Sequence, residues 1–447
     1  MAALRLGRLF APSKQALKHC PLYKCTMSSY ESNYDIMVIG GGIVGLATAR
    51  EILLRYPEKK IAVLEKEREI GMHQSGHNSG VIHTGIYYTP GTLKAKLCVR
   101  GADLMYQYCD KRNIPYKRAG KVIVAVNENE IPRLKNLYER GLTNGVRDLK
   151  LIGPKELRQI EPYCKGVMAI HSPNTGIVDY TKVTESYAEE IKERKGTIYT
   201  GFEVTGFVKQ NSDGSGKDSV GVQCYGRPTL SAHNVITCAG LFSDRMARMS
   251  GCSSEPAIVP FRGEYLVLKS DKSYLVNGNI YPVPDPQFPF LGVHFTPRMD
   301  GTIWLGPNAI LAFAREGYKF TDFSFKDFQE SMRFRGLRKL IAKNFKYGAQ
   351  EVFKGAILTA QVKELQKYVP EIKSSDIQRG PAGVRAQAMD RDGNLIEDFI
   401  FDQGTSEIGS NMLHVRNAPS PAATSSLAIA EMIVDKAQDT FKWDKMP

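Results

Sequence analysis

The stretch YDIMVIGGGIVGLATAREILLRYPEKKIAVLEKE, residues 34–67, constrains the fold more than any other part of the chain. Ile36 to Ile39 reads as an apolar strand, Gly40-x-Gly42-x-x-Gly45 as a tight turn, Leu46 to Tyr56 as a helix, and Ile61 to Leu64 as a second strand ending at Glu65, 20 residues past Gly45. Each part has a physical duty. Gly40 permits the turn, Gly42 lets backbone N–H groups approach a pyrophosphate, Gly45 lets the helix lie close to the sheet, and the helix N-terminus faces the phosphates. Glu65 suits the two ribose hydroxyls, which disfavours a 2′-phosphate and hence NADP. The glycines alone need only pack a helix on a strand, but the full order of elements points to a dinucleotide site. It does not choose between NAD and FAD.

The rest of the chain bounds the answer. At 447 residues with 42% hydrophobic content it can bury a large core, divided between two domains. Residues 1–33 read as a mitochondrial transit peptide: Arg5, Arg8, Lys14, Lys18 and Lys24 meet no acid within the first 30 residues, and Leu4, Leu6, Leu9 and Phe10 gather on one side of a helix. Those five cations belong to the leader, so the formal charge of +13 falls to +8 without them. No apolar run reaches the roughly 18 residues of a spanning helix. Eight cysteines without a Cys-x-x-Cys pair suit a reducing compartment.

Three further segments carry signals. GTIYTGFEVTGF (196–207) reads as two short strands, and NVITCAGLFSDRMARMSG (234–251) as a buried strand ending at Ala239-Gly240 ahead of a helix. LHVRNAPSPAATSSLAIAEMIVDKA (413–437) reads as a strand, a Pro/Ser/Ala turn and an apolar helix capped by Ser425 or Ser426. Such a cap aims N–H groups and the positive end of the helix dipole at whatever fills the turn. GHNSGVIHTGIYY (76–88) is dense in uncharged polarity.

Together with EKE, CAGLFSDR, VPFRGEYL, GPAGVRAQ and VRNAPSPAATSS, these motifs resemble the FAD-dependent oxidoreductases of the D-amino-acid oxidase superfamily, from Tyr34 to the C-terminal helix. The resemblance implies an α/β fold: a Rossmann-like FAD-binding domain joined to a mostly antiparallel substrate domain. The FAD-binding domain is expected at 34–110, 165–257 and 380–440, and the substrate domain at 111–164 and 258–379. Cofactor contacts are implied for Gly40, Gly42, Ile43, Val44, Gly45, Glu65, Lys66, Gln74, Ser75, His77, Asn78, Ser79 and Gly80. Further along the chain they are implied for Val204, Ala239, Gly240, Asp244, Arg385, Pro419, Ser420, Ala422, Ala423 and Thr424. Uncharged polarity along 74–80 suits a flavin ring that needs hydrogen bonds without a fixed counter-charge.

Oxidising a 2-hydroxy acid requires a base for the hydroxyl proton, and neutral histidine suits that at physiological pH. His171 and His233 read as loop residues and His414 as a strand residue beside the flavin turn, which leaves His294, His83 and His77 as candidates. His73 and His77 are spaced like a helical metal pair, but no carboxylate or cysteine is evident beside them, and no metal is expected.

Two substrate carboxylates call for paired cations, and arginine holds a carboxylate bidentately. Arg385 lies on the first strand of 380–402, a strand, Asp-Gly turn and return strand, where the superfamily carries its carboxylate-binding arginine. Arg298 shares a strand face with His294, two residues before the turn at Asp300-Gly301; Arg262 and Tyr88 complete the substrate set.

The implied activity is oxidation of L-2-hydroxyglutarate to 2-oxoglutarate, with electrons passed to a quinone or another acceptor. An amine or amino-acid oxidase of the same superfamily and a non-catalytic dinucleotide-fold binding protein are the alternatives. RFRGLRKLIAKNFK (333–346) has six cations and no acid, so it reads either as a solvated face or as peripheral contact with an anionic membrane. No nucleic-acid motif accompanies it.

Overall fold

The computed structural model describes residues 33–210, 218–285, 292–343 and 358–444. The expected leader, with His19, Cys20 and Cys25, lies outside the described residues except for Asn33, which already begins the first strand.

The fold is α/β, as expected, and is built on two large sheets. In the first, strand Asn33–Ile39 lies between Ile61–Leu64 and Leu230–Thr237 and is parallel to both. Thr197–Tyr199 and Met412–Asn417 extend the parallel part, and Val204–Gln210 with Ser219–Cys224 add an antiparallel edge. The central strand is covered on both faces, which is why its sequence is continuously apolar rather than alternating. Ile36 and Val38 meet the helices Ile43–Arg55, Tyr180–Glu193 and Ser426–Phe441, whereas Met37 and Ile39 meet Phe202, Val220 and Leu230.

The second sheet has nine strands and is mostly antiparallel. Its order is Ile310–Leu311, Ala257–Leu268, Ile303–Gly306, His294–Pro297, Asn279–Pro282, Lys121–Ala125, Met168–Ser172 and Lys150–Ile152, with Ile377–Met389 also paired to Ala257–Leu268. The expected domain edges at 165 and 380 do not follow these sheets. Met168–Ser172 lies between Lys121–Ala125 and Lys150–Ile152, and Ile377–Met389 pairs along the whole of Ala257–Leu268. Tertiary pairing, which adjacent sequence does not display, moves both strands into the second sheet. His171 and His233 are also strand residues rather than loop residues, within Met168–Ser172 and Leu230–Thr237. The Asp390–Gly393 turn forms, but its return strand is reduced to a single bridge between Met389 and Leu395. The chain instead crosses to the first sheet, where Ile400–Asp402 pairs with Met412–Asn417.

One face of the second sheet is apolar: Val122, Ile280, Phe295, Leu305 and Leu266 pack together there with Val362, Leu365 and Val369. Because side chains alternate along a strand, the residues between them point to the opposite face. That face carries the candidate site.

Candidate active site

The glycine turn is shaped by contacts that leave no room for a side chain. A Cβ on Gly45 would stand 2.0 Å from the Gly40 carbonyl oxygen, and one on Gly40, at φ +114°, would stand 2.4 Å from the Cys238 oxygen. Gly42 is different, since a Cβ there would meet only Ser75 Oγ, at 3.3 Å. Glu65 is buried at the strand tip, where Oε2 accepts from Gly41 N at 2.7 Å and Oε1 from Glu67 N at 2.9 Å, so its carboxylate also fixes the turn.

A cleft opens in front of this turn. Its walls include Gly40, Gly42, Ile43, Val44, Glu65, Lys66, Gln74, Ser75, Val204, Ala239, Gly240, Ala422 and Ala423 from the expected cofactor set. The helix Ile43–Arg55 begins at this cleft with no side-chain cap and no acid in its first turn; Ile43 N donates to Ser75 Oγ at 2.9 Å. Ser425 caps the helix Ser426–Phe441 in position only, because its buried hydroxyl has no partner. A helix N-terminus without an acid, beside a glycine that leaves space, is what a pyrophosphate requires, so these residues fit FAD.

Other expected contacts are committed elsewhere. Asp244 is buried in an ion pair with Arg315 and also accepts from Ile258 N. Thr424 accepts from His83 N at 3.2 Å and donates to the Val81 oxygen at 3.1 Å, tying the Pro/Ser/Ala turn to the 76–88 segment. Asn78 caps its own turn, donating to the Gln74 and Ser75 oxygens and accepting from Gly80 N at 2.9 Å. Gly45, His77, Ser79, Gly80, Arg385, Pro419 and Ser420 are not among the cleft walls.

Contrary to the sequence reading, carboxylates do stand beside His73: Glu67 and Glu316 lie within ligand distance of it. Lys66 Nζ already occupies the space among them, 2.8 Å from Glu316 and 3.0 Å from His73 Nε2, and supplies their counter-charge. His77 stacks on Tyr318 at 4.1 Å and its Nδ1 donates to the Ala382 oxygen at 3.1 Å; burial is the main cause of its lowered pKa.

Across from Asn78 and Ser79 lies the polar face of the second sheet. Strand register sets Lys121 beside Asn279, and the pairing of Ile280 with Phe295 brings Thr296 next to Asn279 and His294 next to Tyr281. Thr296 faces Trp304, and Tyr265 and Arg385 continue the same face across Ala257–Leu268 and Ile377–Met389. Ring contacts agree: Tyr281 stacks on His294 at 4.3 Å, and Tyr265 packs at a tilt against Trp304 at 4.8 Å. Arg298 lies over Trp304 at 4.2 Å and donates to the Asn78 oxygen at 2.8 Å, pinning the 74–80 loop to the sheet. Arg262 pairs with Val384 and therefore points away from Arg385; it is neutralised by Glu264 at 3.3 Å and donates to the Lys319 oxygen. Tyr88 lies beneath the Lys94 ammonium, 5.0 Å from ring centre to Nζ.

Lys121 was not legible in the sequence as a site residue. It is 2% exposed, its Nζ is 3.4 Å from His83 Nδ1, and it lies over the Tyr281 ring at 4.2 Å. Burial lowers its pKa to about 7. The only hint is a lysine opening the otherwise apolar run KVIVA. Burial also holds His294 down to about 3, helped by the nearby Lys121 and Arg385, and puts His83 well below its ordinary value. Both imidazoles are therefore neutral at pH 7, and their contacts set their tautomers. His294 Nδ1 donates to the Gly292 oxygen at 3.1 Å, which leaves Nε2 as the acceptor. With Lys121 as the ammonium, His83 Nδ1 accepts from it, which puts the imidazole proton on Nε2.

The chain matches the FAD dependent oxidoreductase family over residues 35–436. It is 59% identical to the mitochondrial L-2-hydroxyglutarate dehydrogenase of Nematostella vectensis over 92% of this chain and 91% of that one. Against the human protein of the same name it is 56% identical, over 94% and 92%. Among solved structures, L-alpha-glycerophosphate oxidase from Mycoplasma pneumoniae with FAD bound superposes with a TM-score of 0.72 at 24% identity, covering 93% of this chain and 97% of that one. Glycine oxidase from Geobacillus kaustophilus superposes with a TM-score of 0.65 at 16% identity, covering 91% and 95%.

Proposed function

The chain belongs to the FAD-dependent oxidoreductase family, and on that premise we propose that it oxidises L-2-hydroxyglutarate to 2-oxoglutarate in mitochondria. The observation that carries this reading beyond the relatives' names is the polar sheet face, where His294 and the cations Lys121 and Arg385 converge opposite the 74–80 loop.

The glycine turn, Gln74, Ser75 and the Ala422-Ala423 turn would hold FAD, which would supply the acceptor for the hydride of the substrate Cα. Arg385 binds a substrate carboxylate. A side chain at position 263 would crowd its guanidinium, and Gly263 leaves that space open. His294 Nε2 takes the hydroxyl proton. Substrate charge neutralises Lys121 and Arg385, two causes of the depressed His294 pKa, and so makes the imidazole a stronger base when it is needed. His83 Nε2–H is a donor rather than a second base. Tyr265, Tyr281 and Trp304 exclude water from the face.

Electrons then pass to a quinone at the matrix side of the inner membrane. The exposed Phe320, Phe323 and Phe325 and the basic helix Arg335–Lys343 supply the apolar and cationic groups that such membrane contact needs. The helix itself spends part of its apolar side on the protein, since Leu337 packs with Val259, Phe261 and Met389.

The test is an anaerobic absorbance spectrum of the FAD-loaded protein before and after L-2-hydroxyglutarate, with the D enantiomer and sarcosine as controls. Bleaching of the flavin band by the L acid alone is expected. Bleaching by sarcosine alone would replace this reading with an amine oxidase.

A further inference from the structure

A substrate with two carboxylates brings two charges into a site that hides them from water, and each needs a cation. Arg385 is one. The two arginines that sequence spacing offered as the other are already engaged: Arg262 by Glu264 on the opposite face, and Arg298 by the Asn78 carbonyl. Lys121 differs from both. Among the described residues, the groups around its Nζ are the His83 imidazole and the Tyr87 and Tyr281 rings, with the Cys98 thiol and the His294 ring as further neighbours, and no carboxylate is among them.

A second observation points the same way. Asn279, fully buried and in register with Lys121 on the adjacent strand, carries a side-chain oxygen without a hydrogen-bond partner among the described residues, and the buried Thr296 hydroxyl beside it meets the Tyr281 phenol. The hydroxyl of Tyr87, whose ring lies beneath Lys121, is also buried without a partner. Buried polar atoms are left unpaired at a cost of about 1–3 kcal/mol each, and two beside one uncompensated cation mark a place kept for a polar ligand.

We propose that Lys121 binds the second carboxylate of the substrate, with Asn279, Thr296 and Tyr87 shaping its pocket, and so makes the site select a dicarboxylate over a monocarboxylate 2-hydroxy acid. The assignment rests on the substrate reading above. Titration supports it independently of any variant. His83 and His294 are already neutral at pH 7, burial pushes the Cys98 thiol up to about 12, and the Tyr87 and Tyr281 phenols are raised, so Lys121 is the group on this wall that changes charge between pH 6 and 9.

The experiment is calorimetric binding of 2-oxoglutarate and of 2-oxovalerate, which lacks the second carboxylate, to the FAD-loaded full chain. Wild type is expected to prefer 2-oxoglutarate by about 100-fold, the scale of a buried charge pair. Lys121→Met should bring the two affinities within about threefold by weakening only 2-oxoglutarate, and Lys121→Arg should restore part of the preference. An unchanged preference in Lys121→Met, or equal weakening of both acids, overturns the assignment. If that variant does not hold FAD, the wild-type preference must fall as pH rises from 7 to 9, and a flat ratio overturns it. If wild type binds neither acid and L-2-hydroxyglutarate leaves the flavin oxidised, the substrate reading itself has failed and the assignment falls with it. Wild-type preference that survives in Lys121→Met removes the Lys121 assignment alone.

Discussion

Asp244 Oδ2 receives Arg315 Nη2 at 2.9 Å, with both side chains about 95% buried, so the acid that follows the Ala239-Gly240 turn holds the protein together instead of reaching a ligand. The pair joins the short helix Ser243–Met249 to the chain that leaves the second sheet. Removing one partner strands the other charge. Asp244→Ala is expected to lower stability by about 3–5 kcal/mol, read by urea unfolding, with FAD affinity in the surviving folded fraction close to wild type.

Gly42 and Gly45 separate cofactor binding from folding. Gly45→Ala drives a methyl into the Gly40 carbonyl and should give little folded protein. Gly42→Ala meets only Ser75 Oγ, so the protein should fold with an unchanged apo melting temperature while FAD content after reconstitution drops at least about tenfold, as expected if backbone approach to the pyrophosphate is blocked. Equal FAD content in Gly42→Ala and wild type would refute the cleft as the pyrophosphate site.

The tautomers make the two histidines unequal. His294→Gln should slow anaerobic flavin reduction by about 10²–10⁴-fold, the range of a lost general base, whereas His83→Gln, which keeps a donor, should cost about tenfold or less. Stopped-flow reduction under saturating substrate distinguishes them, and the reverse order would exchange their roles.

Burial depresses His414 to about 4; its ring lies between Thr237 Oγ1 at 2.9 Å and Ser250 Oγ at 2.6 Å. With the folded value below the unfolded one, the unfolded chain binds more protons between about pH 4 and 6.5. The stabilising contribution is therefore complete above 6.5 and lost as pH falls toward 4. His294 adds the same sign down to about 3. Urea midpoints should decline over this window, and less steeply in His414→Gln.

Lys121 carries the opposite kind of cost. Its folded value of about 7 lies below the unfolded one, so the native state has to hold an ammonium without a counter-ion below pH 7, and that penalty fades as pH rises toward 10.5. Substrate-free Lys121→Met should therefore melt above wild type at pH 6.5, with the gap narrowing at pH 9. A variant that is less stable at both pH values would mean the ammonium is not an unpaid charge in the resting protein.

The local chemistry of this chain is written in its sequence. Strand, glycine turn, helix and terminal acid follow one another within 34–67 because backbone sterics and the 3.6-residue helical period act between near neighbours. The hairpin holding His294 and Arg298, and the strand holding Arg385, were legible for the same reason. Alternation along a strand tells which side chains share a face, but not which strand lies alongside. The tertiary structure alone set Lys121 beside Asn279 and Asn279 beside Thr296, turned Arg262 away from Arg385, and took Asp244 for Arg315. These neighbours come from distant parts of the chain, and burial of the apolar face shared by Val122, Ile280 and Phe295 is what fixes their register.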